Sequence, residues 1–102
     1  MEDRIQKAVE LFKSGYNCSQ SVVAAFADMY GFTQEQALRM GASFGGGIGR
    51  MRETCGAACG MFLVAGLETG ATEATDREGK AANYAVVQEL AAEFKKRNGS
   101  LI

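Results

Sequence analysis

The chemistry this chain can do rests on three cysteines and a pair of arginines. In the stretch RMRETCGAACGMFLVAGL, residues 50–67, Cys55 and Cys59 stand four apart at the start of an uncharged run, with Arg50 and Arg52 just before them. The third thiol, Cys18, lies in YNCSQ. Cys18 follows Asn17 and Cys55 follows Thr54, both residue types that cap helix starts, so each thiol is expected at the first position of a helix. There the unpaired amides and the helix dipole stabilise an anion, and helix starts and neighbouring cations are settings that lower a thiol pKa. Arg50 and Arg52 are placed to add to this at Cys55. The pattern predicts a redox pair in which Cys18 and Cys55 cycle between dithiol and disulfide. Cys55 attacks, Cys18 resolves the mixed disulfide, and the substrate is a redox partner protein.

Two other readings fit the same residues. Cys55 and Cys59, one turn apart, share a helix face. With Cys18 they offer three thiolates to Zn²⁺ or to part of an iron–sulfur cluster. A closed site takes about four ligands, so a partner, a second copy or further chain must complete it. Alternatively the cysteines are small buried hydrophobes in a non-catalytic helical interaction domain. Glu53 reads as a solvated residue before a helix, and Tyr16 and Tyr84 as packing residues. Met40, Met51 and Met61 read as core or gap filling.

Composition narrows the field. There is no histidine, which excludes Cys-His and Ser-His pairs and histidine metal sites. Basic and acidic residues nearly cancel, 11 against 12, which argues against nucleic acid as a partner. No uncharged run exceeds 14 residues, as in Thr54 to Leu67, against the roughly 20 that a membrane-spanning helix needs. The charged amino terminus, MEDRIQKAVE, is no secretory signal. These features predict a soluble cytoplasmic protein with reduced thiols, and the odd cysteine count speaks against a disulfide framework.

The elements that must position the thiols are helical, since apolar residues recur at helical spacing and proline is absent. The first helix is expected over about residues 2–14, with Ile5, Val9 and Phe12 on one face. The second opens with Asn17 as cap and Gln20 reaching back, a capping box, and ends at Gly31. Thr33 and Gln36 repeat the device for the third. The fourth is expected from Thr54 to about Glu68, apolar nearly all round and therefore central and buried. Thr75 with Glu78 opens the last, which carries Tyr84, Val87, Ala91 and Phe94 and stops at Asn98-Gly99. Thirteen glycines, several spaced by four, predict close helix crossings. Two other uses of GGGIGR are a phosphate cradle and a surface for a flat cofactor or partner helix. The result is an all-α, single-domain bundle of about five helices, with glycine-lined faces suited to a homodimer.

Three stretches, GYNCSQSVVAAF, ALRMGASFGGGIGRMRETCGAACGMFLVAGLETG and FKKRNGSLI, together resemble the redox-active protein family C_GCAxxG_C_C over nearly the whole chain. The family's CGAxxG motif falls on Cys55-Gly56-Ala57-Ala58-Cys59-Gly60, with Ala58 and Cys59 in its variable positions, and its first cysteine falls on Cys18. The resemblance implies redox activity carried by cysteines. Family members are longer and carry two further cysteines after the asparagine-glycine stop. By that comparison residues 1–102 form a single domain without the family's carboxy-terminal tail. A related group with similar helical domains binds haem as split-Soret cytochromes. The lack of histidine and of a CxxCH signal here leaves only Met or Cys as axial ligands for haem.

Overall fold

Capping side chains set three of the helix starts. The computed structural model describes residues 2–102 and contains five helices: α1 (Glu2–Lys13), α2 (Cys18–Phe26), α3 (Gln34–Gly41), α4 (Gly56–Thr69) and α5 (Arg77–Asn98). Single 3-10 turns, Ala27–Tyr30 and Ala42–Phe44, extend α2 and α3, and no strand occurs among the described residues. Both expected capping boxes form. The Asn17 side chain accepts from the Gln20 amide at 2.8 Å and Gln20 accepts from the Asn17 amide at 3.1 Å. Thr33 and Gln36 exchange the same pair of bonds at 3.1 and 2.9 Å. Such boxes satisfy donors that a helix start leaves orphaned.

Two starts differ from expectation. Helix α4 begins at Gly56, so Cys55 is itself the cap, without a side-chain capping bond, and not the first helical residue. Helix α5 is capped by Asp76, not Thr75; its carboxylate accepts from the Gly79 amide at 2.8 Å. An acidic cap has the advantage of opposing the positive end of the dipole.

The centre of the bundle is α2 and not α4. Helix α2 packs against α1, α3 and α4, and Ser19, Ser21, Val23, Ala24 and Ala25 on it are buried. Its short side chains let three neighbours approach, whereas Met61, Phe62, Leu63 and Val64 of the apolar α4 are only half-buried. A close crossing lies at Gly41, where a Cβ would stand 2.8 Å from the Gln20 amide nitrogen. The buried apolar core consists of Val23, Cys59 and six alanines, Ala24, Ala25, Ala27, Ala37, Ala58 and Ala65.

Helix α1 is rotated away from its expected orientation. Ile5, Val9 and Phe12 face outward, exposed by 55, 41 and 55%. Leu11 instead packs on the core, and the Arg4 guanidinium bonds the Ala25 carbonyl at 3.0 Å and pairs with Asp28. These anchors share one side of the helix, about a quarter turn from Phe12, and fix its rotation. Tyr84 and Met51 are also exposed and not packed inside, and α5 has no buried residue.

Candidate functional site

Cys18 is the first residue of α2, and the cap that starts the helix also ties it down. The Asn17 amide group donates to the Ala42 carbonyl at 3.1 Å, and that of Gln20 donates to the Leu38 carbonyl at 3.1 Å. Both acceptors lie at the carboxy-terminal end of α3, where helix carbonyls lack partners of their own. One capping box thus joins the start of α2 to the end of α3 and holds Cys18 at that junction.

The CGAxxG stretch brings the second thiol there. Gly56 and Gly60 are one turn apart and both meet α2. A Cβ on Gly56 would lie 2.9 Å from the Phe44 carbonyl oxygen and 3.4 Å from the Cys18 Cβ. One on Gly60 would lie 2.8 Å from the Val22 Cβ and 3.2 Å from the Ser19 carbonyl oxygen. The two glycines therefore act as a packing device: they let the start of α4 lie on the start of α2, which sets Cys55 beside Cys18. Among glycines spaced by four, these two and Gly41 make the expected close crossings.

Residues 45–53 form the third wall. Gly46, Gly47, Ile48, Gly49 and Arg50 all have positive φ, as does Arg52, so the chain here turns in the left-handed sense. For Ile48, Arg50 and Arg52 that conformation costs about 1–2 kcal/mol each. The turn is held by its own backbone. The amides of Ile48, Gly49, Arg50, Arg52 and Glu53 donate to the carbonyls of Phe44, Ser43, Gly45, Gly46 and Gly47. Those five donors are therefore spent on the turn itself. Gly45 is covered by the Asn17 side chain, and Gly46 and Gly47 pack against Arg50, Arg52 and Glu53 of the same turn.

Together these elements border an open cavity of about 260 Å³ lined by Cys18, Gly46, Gly47, Arg52, Glu53, Cys55, Gly56 and Ile102. Arg52 is the arginine of the pair that reaches it; Arg50 lines a different hollow with Asn17 and Ala42. Tyr16 and Tyr84 do not line it. The wall that sequence reasoning missed is the segment after α5: the Leu101 carbonyl accepts the Cys55 amide, and Ile102 borders the cavity. No local signal pairs residue 55 with residue 101, and only the folded chain brings them together.

Cys59 has a different environment. It is buried, and burial, with the neighbouring Cys55 adding to it, pushes its thiol pKa up. The chain thus holds Cys59 as a neutral thiol in the core. All three cysteines are unbridged. Among the described residues no three Cys, Asp or Glu side chains converge as a metal would require, so Cys18, Cys55 and Cys59 do not form one ligand set within the chain.

A family model described as "Putative redox-active protein (C_GCAxxG_C_C)" matches residues 16–102, which include every wall of the cavity. No curated protein and no solved structure matches the chain. No helix among the described residues is long and apolar enough to cross a membrane.

Proposed function

The chain belongs to the redox-active family C_GCAxxG_C_C, and from that premise we propose that Cys18 and Cys55 are its working dithiol. The observation that carries the reading is that these two thiols line one cavity, while Cys59 is withdrawn into the core. The Cys55 thiolate attacks a disulfide of a partner protein, forming a mixed disulfide and releasing one partner sulfur, which takes up a proton. The Cys18 thiolate then attacks the Cys55 sulfur. The second partner sulfur leaves and is protonated, so the partner gains two electrons and Cys18–Cys55 becomes a disulfide. Cys18 sits where the free amides of a helix start favour negative charge. Arg52, on the wall of the same cavity, contributes a positive charge to it. The Glu53 carboxylate, on the same wall, is placed to exchange protons with solvent.

Intact mass after anaerobic purification and then mild oxidation tests this. The expected result is the loss of two hydrogens, mapped to Cys18 and Cys55 and reversed by a reductant. Cys18→Ser and Cys55→Ser should each abolish the change, and Cys59→Ser should leave it intact. A disulfide that involves Cys59, or thiols that stay inert until the chain is unfolded, would overturn the assignment.

A further inference from the structure

The apolar residues that the core leaves outside form a surface of their own. Ile5, Val9 and Phe12 run along the outer side of α1. Beside them lies an apolar groove of about 270 Å³, lined by residues that include Val9, Phe12, Val22 and Ala57. Val22 also lines a second groove, of about 400 Å³, between α2, α4 and α5, which holds the exposed Met29. The apolar surface thus continues from α1 across α2.

The size of the exposed surface points to what covers it. A globular monomer of 10.9 kDa exposes about 5,600 Å². This chain exposes 6794 Å², an excess of about 1,200 Å² over that scaling. Each partner of a stable interface typically buries about 800 Å². A core of one valine, one cysteine and six alanines is also small for a chain whose larger apolar side chains face outward. Lipid is the poorer occupant. A membrane-surface helix carries a basic polar face, whereas residues 2–13 hold three acidic and three basic residues, Glu2, Asp3 and Glu10 against Arg4, Lys7 and Lys13.

We propose that this face joins two copies of the chain in a two-fold dimer, with Ile5, Val9 and Phe12 of each copy packed along α1 and the adjoining groove of the other. The pairing is isologous, because the same patch supplies both the projecting side chains and the groove. Cys18 lines this groove as well as the thiol cavity, so the second copy walls one side of Cys18. The proposal is independent of what the thiols do.

Sedimentation equilibrium of the intact, reduced chain decides it, together with thermal melts across a range of protein concentrations. The expected mass is twice 10.9 kDa, with a Tm that rises with concentration. Phe12→Glu places a carboxylate in the seam and should weaken the dimer about a hundredfold or more. Met51→Glu, at an exposed position away from the face, should leave the dimer unchanged. A monomer mass with a concentration-independent Tm overturns the proposal. So does a dimer that Phe12→Glu leaves as tight as before, since another surface would then hold it. If Phe12→Glu does not fold, Val9→Lys is judged by the same criteria. If neither folds, the parent chain's mass and Tm dependence decide between dimer and monomer. A monomer that co-sediments with neutral phosphatidylcholine vesicles would assign the face to lipid and equally overturn the dimer.

Discussion

Cys59 shows how little residue type reveals of a thiol's role. It stands one turn from Cys55, yet one sulfur borders a cavity and the other lies in the core. Burial disfavours the thiolate and raises the folded-state pKa, an effect to which the nearby Cys55 adds. A raised folded pKa contributes stability that is present below the unfolded value, about 9.0, and is lost as pH rises through the folded value. Thermal melts above about pH 9 should therefore show the parent chain losing stability faster than Cys59→Ala, which has no thiol to ionise. Below that range the cavity left by the alanine should make the variant the less stable of the two, by about 1 kcal/mol. Curves that run parallel through the alkaline range would refute the assignment of Cys59 as a buried neutral thiol.

At the scale of elements, the glycines within α3 and α4 divide into those that permit a crossing and one that permits none. Gly41 lies where α3 meets α2, and a Cβ there would meet the Gln20 backbone at 2.8 and 2.9 Å, atoms that cannot swing aside. Gly41→Ala should destabilise the chain by about 1–3 kcal/mol. Gly66 lies inside α4 with nothing within 4 Å of the added methyl. Gly66→Ala should stabilise by about 0.5–1 kcal/mol, because glycine loses more backbone freedom in a helix than alanine does. Urea melts of the two variants give the comparison, and equal effects would mean that α2 and α3 do not cross at Gly41. The same logic explains the CGAxxG stretch: its glycines set the distance between two helix starts, and the cysteines take their positions from that crossing.

At the scale of the whole molecule, the thiol cavity is completed by residues far apart in sequence. The segment after α5 returns to the start of α4, where the Leu101 carbonyl takes the Cys55 amide and the largely exposed Ile102 borders the cavity. The segment is largely exposed and lies outside any helix, and such segments open at low free-energy cost, so this wall sets how readily reagents reach the sulfurs. Ile102→Ala should raise the rate of iodoacetamide alkylation at Cys55 several-fold with the helical circular dichroism unchanged. An unaltered rate would mean that the segment does not guard the cavity.

The sequence by itself determined the all-α class and the starts of α2 and α3, because a capping box is a contract between residues three apart and needs nothing from the rest of the chain. It also determined that Cys18 begins a helix and that histidine chemistry is absent. Tertiary structure decided what a helical period leaves open. Periodicity finds an apolar stripe on α1 but not its rotation, which Arg4 on Ala25 and Asp28 fixed, leaving Phe12 outside. It marks α4 as apolar but not as peripheral to α2, whose small side chains drew three neighbours instead. Arg50 and Arg52 look equivalent in a string of letters. The left-handed turn between Gly46 and Arg52 sends one to the thiol cavity and the other away from it. Those outcomes depend on contacts between residues distant in the chain, and only the packed molecule brings such contacts into being.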